Sequence, residues 1–363
     1  MANNNPLHVE ILDRSNDESY LRFLGRLGRT TPAVLAYHHC MYRDLLCRLD
    51  VGEPLYLGAF ADGDLVAVLP GFVRRTSTGT VYSSLPFFGP NAGVLSDPEW
   101  SELAHRELLG AVRRIMEREP AALTASVYTP LMFDEFGMYE RALPDAIAVD
   151  KTTQVLFLPD AAWSREILYD LRKAERAGVT VESDVTEERI ARLYEIYEQN
   201  CADRGIPKKA EACVRYLGTE GVKSGHVGAQ FAYYRGEMIA GLLMLWGPQT
   251  ASYYLPCNVD ESRSLQAGTL LVDCAVGAAR QRGIRYWNWE ASPAQDEGVY
   301  RFKSKWGSKP VGYKVFIQRF CQEERLCEIG VARLAAEFPY FFVFPFERLE
   351  RLERRFERVV PSA

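Results

Sequence analysis

The 363-residue chain predicts an α/β (α+β) fold: two similar domains, each a mixed, mostly antiparallel sheet flanked by helices, followed by a helical tail. Three observations predict it. Hydrophobic residues make up 47% of the chain and charged residues 25%, the balance of a globular protein that buries a full core. Strand-like runs are interleaved with runs of helical spacing, each closed by turn residues. The pattern also occurs twice. Ala59-Phe60-Ala61-Asp62-Gly63-Asp64-Leu65-Val66-Ala67 is mirrored by Ala232-Tyr233-Tyr234-Arg235-Gly236-Glu237-Met238-Ile239-Ala240, and the run from Val81 to Pro86 by that from Ala251 to Pro256. A repeat of this size seen only twice means a duplicated domain, not a solenoid. We expect domains at 1–155 and 156–320, and a tail at 321–363.

In chain order, Val9 to Leu12 reads as a strand, and Asp17 to Leu27 as a helix capped by Ser15 or Asn16. Ala33 to Arg48 has helical spacing throughout. Pro54 to Phe72 forms a hairpin around Asp62-Gly63, and Val81 to Leu85 a strand. Pro98 to Glu119 reads as a helix with Asp97 as cap and Pro98 at the first position. A strand over Leu123 to Tyr128 completes the first copy. The second opens with a helix from Ala162 to Ala177, led by Asp160 and ended by Gly178. Thr186 to Asp203 and Lys208 to Leu217 are helical. A hairpin turns at Arg235-Gly236, and a strand runs over Ala251 to Leu255. A helix from Ser264 to Arg282 and a strand from Ile284 to Glu290 follow. In the tail, Glu337 to Phe346 is an aromatic run too short to span a bilayer. Glu347 to Val360 is a charged helix with Leu349, Leu352, Phe356 and Val359 on one face.

The net charge of −5 excludes a global basic field for nucleic acid and DNA is not expected as a partner. The start, Met1-Ala2-Asn3-Asn4-Asn5, has neither a basic nor an apolar leader region, so no signal peptide is expected. Eight scattered cysteines without a Cys-x-x-Cys pair suit a reduced, cytoplasmic protein. His38-His39-Cys40 lacks a partner cluster, and no metal is expected.

Chemistry concentrates between Gly298 and Gly307. Val299, Phe302 and Trp306 have the spacing of one helical side, which leaves Arg301, Lys303 and Lys305 to point elsewhere. Cationic donors beside a strand end suit an anionic donor or a developing oxyanion. The alternative is an ordinary solvated helix. Glu290, at the strand end with aromatic neighbours Trp287 and Trp289, becomes a base if burial raises its pKa, or a structural partner of Arg285 or Lys303. Tyr300 is a candidate proton donor to the leaving group. No Ser-His-Asp or Cys-His set is evident, so direct attack by the acceptor fits better than a covalent intermediate.

Gly298, Phe302 and Lys303, followed by Trp306-Gly307, match a late Gly-x-x-x-Phe-Lys motif. With the order of strands and helix before them, they resemble the FemAB-like (peptidoglycan bridge-forming) branch of the GNAT acyltransferase superfamily. The resemblance runs from about Ala33 to Val315. It implies tandem GNAT-like domains and transfer of an acyl or aminoacyl group, from acyl-coenzyme A or aminoacyl-tRNA, to an amine acceptor. That acceptor is a small molecule or a glycan or peptide precursor, as in cell-envelope or polysaccharide synthesis. No tightly bound cofactor is implied. Coenzyme A enzymes of this superfamily carry Arg/Gln-x-x-Gly-x-Gly/Ala before the helix that follows the fourth strand. Here Arg263-Ser264-Leu265-Gln266-Ala267-Gly268-Thr269 keeps the ends and replaces the middle glycine by Gln266, so the donor is open. Arg301, Gln266, Gly268 and Thr269 are the candidate donor-binding residues. Ser84, Phe87, Phe88 and Asn91 match a stretch that lines the family's cleft, and Arg172 and Arg176 its basic segment. These six are the candidate acceptor-binding residues. A plain turn and a solvated helix face are the competing readings.

Two functions from different classes follow: an N-acyltransferase, or a GNAT-fold binding protein without catalysis that docks on a membrane or a partner. The tail either packs on the first domain or makes peripheral contact with the inner face of a membrane.

Overall fold

A computed structural model of the chain describes residues 6–87, 91–292 and 297–359. The elements in chain order are β1 (His8–Leu12), α1 (Asp17–Leu27), α2 (Cys40–Arg48), β2 (Glu53–Pro54), β3 (Tyr56–Ala61), β4 (Asp64–Leu69), β5 (Phe72–Arg75), β6 (Thr80–Ser83) and β7 (Leu95–Ser96). Next come α3 (Ser101–Met116), β8 (Ala122–Tyr128), α4 (Gly137–Ala142), β9 (Ile147–Phe157), α5 (Arg165–Ala177), β10 (Thr180–Glu182), α6 (Glu187–Arg204) and α7 (Glu211–Tyr216). β11 (Val227–Tyr234), β12 (Glu237–Trp246), β13 (Thr250–Asn258), α8 (Ala267–Gln281), β14 (Tyr286–Ala291), α9 (Glu297–Lys305) and β15 (Lys309–Arg319) follow. α10 (Glu323–Ile329), α11 (Val331–Glu337) and α12 (Phe346–Val359) end the chain.

Two compact units result, and they are not successive blocks. Unit 1 comprises Met1–Leu27, Leu46–Lys151 and Gly312–Ala363; unit 2 comprises Gly28–Leu45 and Thr152–Val311. The tail therefore belongs with unit 1, and an early segment with unit 2.

In unit 1, β1-β3-β4-β7 form an antiparallel sheet, while β15, β8, β6, β5 and β2 pair in that order. α3 buries Ala104, Leu108, Leu109, Val112 and Met116, spaced for one helical face, against Leu57, Ala67, Val73 and Val127 of the strands. The tail's aromatic run is used in packing: Phe338, Phe341 and Phe344 are buried, and Tyr340 meets Phe87 edge-on at 4.6 Å. Arg74 Nε donates to the Glu337 carbonyl at 2.8 Å.

In unit 2 the strand order is β10-β11-β12-β13-β14-β9, antiparallel except for β13 beside β14. α8 buries Leu271, Val272, Ala275 and Val276 in the core with Leu242, Met244, Trp287 and Trp306.

The duplication is visible in backbone detail. Asp62-Gly63 and Arg235-Gly236 both turn their hairpins with positive φ at each residue, the geometry of a tight hairpin turn. Each hairpin carries a bulge at the equivalent place, after Ala59 and after Ala232. In each copy a later strand joins its parallel partner through a helix, β6 with β8 and β13 with β14.

Several local expectations change. The helix expected over 33–48 is broken: Ala36–His38 form a 3-10 turn and His39 is extended (ψ 147) before α2 begins. Burial of Val34, Leu35 and Tyr37, with His38 Nδ1 accepting from the Leu35 N–H at 3.0 Å, outweighs helical spacing there. Asp97 leads a 3-10 turn without capping it, because its carboxylate pairs with Arg26 at 2.8 Å. Ser164, not Asp160, caps α5. The helix expected from Ser264 starts at Ala267, since Asp260–Leu265 is a 3-10 segment. On α9, Trp306 is buried and Phe302 half-buried, but Val299 is 40% exposed and off the packed face.

Candidate active site

β13 and β14 pair only over Thr250↔Tyr286, Ala251↔Trp287 and Ser252↔Asn288. Beyond that point β13 runs on to Asn258 while β14 turns aside. Between Asn288 and Ala291, β14 also bulges against β9, so that Trp289 and Glu290 together oppose Gln154. Glu290 takes a left-handed conformation (φ 61) in this bulge, rare for a residue with a Cβ. A bulge re-aims a side chain, and here the carboxylate lands where the two parallel strands part.

Asn288, fully buried, holds the bulge. Its Oδ1 accepts from the Glu290 N–H at 3.1 Å and lies 2.7 Å from Thr153 Oγ1; its Nδ2 donates to Glu290 Oε1 at 3.1 Å. The buried Tyr37 hydroxyl donates to the same Oε1 at 2.7 Å. Oε2 is buried without a hydrogen bond of ordinary length among the described residues. Burial pushes the Glu290 carboxyl up to about 7; the Ser252 and Tyr37 hydroxyls and the Lys303 and Lys209 charges oppose the shift only in part.

Lys303, on α9, is also buried. Its ammonium donates to the Ala291 carbonyl at 2.8 Å and to Ser292 Oγ at 2.9 Å, joining α9 to the end of β14. Lys209 was not singled out in the sequence. It lies against the Tyr254 ring at 4.9 Å, and burial lowers its pKa. Tyr37, Tyr42 and Tyr254 close the site, with Tyr37 and Tyr42 edge-to-face at 5.1 Å. Tyr37 and Lys209 come from segments remote in sequence, and no motif marks them. A hydroxyl donor and a buried cation are visible only once the fold brings them to Glu290.

The other expected residues fall in four groups. Tyr300 is half-buried on α9 and Arg301 is exposed. At the start of α8, Gln266 stands in the left-handed conformation (φ 59), and its Oε1 accepts from the Thr269 hydroxyl at 3.3 Å. A Cβ on Gly268 would sit 3.2 Å from Asn258 Oδ1, so glycine permits a close approach there. Ser84, Phe87 and Asn91 belong to unit 1, where they are buried: Ser84 Oγ accepts from the Tyr128 N–H at 2.9 Å and Asn91 Nδ2 donates to the Thr129 carbonyl at 3.3 Å. Phe88 lies outside the described residues. Arg172 and Arg176 stand exposed on α5, apart from the Glu290 cluster's hydrogen bonds. Among the described residues no His, Cys, Asp and Glu group could hold a metal ion, and no helix is long and apolar enough to cross a membrane.

With this geometry in hand, residues 163–304 match the family described as an acetyltransferase (GNAT) domain. The fold is similar to that of FemX (TM-score 0.69, 12% identity, covering 89% of this chain and 99% of that one). It is also similar to the C-terminal domain of a proposed lysylphosphatidylglycerol synthetase from Agrobacterium fabrum (TM-score 0.56, 14% identity, 88% and 97% covered). A tandem GNAT protein from the clavulanic acid biosynthesis pathway is similar at TM-score 0.51 and 12% identity, with 87% and 99% covered. No curated protein sequence matches. Residues 163–304, most of unit 2, are therefore identified as a GNAT acetyltransferase domain. The two units and the helical tail together share the fold of FemX and of the tandem GNAT protein.

Proposed function

We propose that unit 2 transfers an acyl or aminoacyl group from an activated donor to an amine, with Glu290 as general base. The observation that carries this reading is the buried Glu290 carboxylate, raised in pKa and with no hydrogen bond of ordinary length on Oε2 among the described residues, at the point where β13 and β14 part. A carboxylate with a pKa near neutrality suits the single proton that an attacking neutral amine loses as its C–N bond forms. The neutral amine then attacks the carbonyl carbon, forming a C–N bond and breaking the C–S or C–O bond to the donor. The amine proton passes to Glu290, and the leaving thiolate or alkoxide is protonated, a role for Tyr300. Lys303 supplies positive charge to the developing oxyanion or to donor phosphate. The first turn of α8, with Gln266, Gly268 and Thr269, and Arg301 on α9 form the donor side. Acyl-coenzyme A and aminoacyl-tRNA are both compatible donors. FemX and the lysylphosphatidylglycerol synthetase among the similar folds support an envelope precursor as the acceptor.

The test is turnover with a panel of acyl-coenzyme A thioesters and charged tRNAs against amine acceptors. Glu290→Gln should lower kcat by roughly 10²–10⁴. Lys303→Ala should weaken donor use as well. Full activity in both variants on an identified substrate pair would refute the site.

A further inference from the structure

The outward face of α5 carries Arg165, Tyr169, Arg172 and Arg176 at spacings of four, three and four, so they form one ridge, with Leu168 and Lys173 on its shoulders. The opposite face, Ile167, Leu171 and Ala174, lies in the unit 2 core. The ridge is about 16 Å long at the rise of an α-helix. Tyr169 is 58% exposed and Leu168 41%, neighbouring large hydrophobic residues set among cations. Arg172 Nε donates to the Leu168 carbonyl and Arg176 Nε to the Arg172 carbonyl, so both guanidinium groups fold back on their own helix. Among the described residues Arg165, Arg172, Lys173 and Arg176 have no acidic partner. The nearby Glu166 instead pairs with Lys305 of α9.

We propose that this face of α5 docks on the surface of a bilayer that contains anionic lipid. The arginines meet headgroup phosphates, and Tyr169 and Leu168 enter the interfacial layer. An aliphatic Leu168 adds nothing to a contact with a nucleic-acid backbone, whereas an apolar side chain between cations suits the headgroup boundary. The chain as a whole carries −5, so the attraction is local to this ridge and short-ranged. α9 packs beside α5, through the Glu166–Lys305 pair and an edge-to-face contact of Trp163 with Trp306 at 4.9 Å. Docking through α5 therefore brings the helix that carries Lys303 close to the membrane, as an acceptor held in the bilayer requires.

The test is co-sedimentation of the full chain with vesicles of phosphatidylcholine alone and of phosphatidylcholine with phosphatidylglycerol, at low and high salt. Retention on the anionic vesicles at low salt is expected, with release at high salt. Arg172→Glu with Arg176→Glu should lower partitioning more than tenfold, since each basic contact contributes severalfold. Leu168→Ser with Tyr169→Ser should lower it severalfold without changing the salt dependence. Circular dichroism checks that each variant is folded. Partitioning unchanged in both double variants would overturn the proposal. So would absence of vesicle binding while tRNA is retained on filters in an Arg172- and Arg176-dependent way. Glu290→Gln should bind vesicles like the wild type, which separates this proposal from the chemistry proposed for unit 2.

Discussion

Glu290 joins three conditions that seldom coincide: a left-handed backbone, a buried carboxylate oxygen, and a tyrosine donor on the other oxygen. Because its pKa lies near 7 in the folded protein and near 4.5 otherwise, the folded state holds this proton more tightly. Stability should therefore fall as pH rises from about 4.5 to about 7, with the cost complete above that window. Melting temperature against pH is the measurement, and Glu290→Gln should flatten that stretch of the curve. Activity should run the opposite way, rising to a plateau above about 7, because the base works deprotonated. The position of Glu290 at a strand end just after two tryptophans was legible in the sequence. Its partner Tyr37, some 250 residues away, was not.

At the scale of the element, the site depends on one irregular strand. A regular β14 would alternate its side chains and place Glu290 on the wrong face, because a one-residue slip exchanges the two faces of a sheet. Asn288 stabilises the irregularity with bonds to the Glu290 N–H, the Glu290 carboxylate and Thr153. Asn288→Ala leaves these buried groups unsatisfied and should cost about 2 kcal/mol in urea unfolding. It should also lower kcat more than it changes KM for the donor, because the base is misplaced rather than the donor site. Strand and helix identities were readable from periodicity. Interruptions were not: the extended His39, the 3-10 segment before α8 and the β14 bulge follow from burial and side-chain bonds made by distant segments.

At the scale of the molecule, the chain enters unit 2 early, leaves it, and returns. Gly28–Leu45 contributes Tyr37, Tyr42 and Leu45, each fully buried, to a unit otherwise built from Thr152–Val311. Unit 2 also holds the Thr250 hydroxyl against the Pro32 carbonyl at 2.8 Å and Gln249 Nε2 against the Gly28 carbonyl at 3.1 Å. Residues 152–311 expressed alone should lack a cooperative unfolding transition, and addition of 28–45 through a linker should restore it. Calorimetry of the two polypeptides checks this. A duplication read as two consecutive domains hides such an exchange, since the repeat lies in the hairpins and parallel strands rather than in the segments that cross over.

By itself the sequence determined the duplicated α/β architecture, the hairpin turns, the Gly-x-x-x-Phe-Lys helix after β14 and the acid just before it. These are local or periodic features, carried by residues close in the chain. Tertiary structure alone decided that Lys303 is buried against the Ala291 carbonyl, that Glu290 is twisted into a bulge, and that Tyr37 and Lys209 share its pocket. The reason is physical: burial and hydrogen bonding between residues hundreds of positions apart set pKa and side-chain aim, and no spacing within one element encodes them.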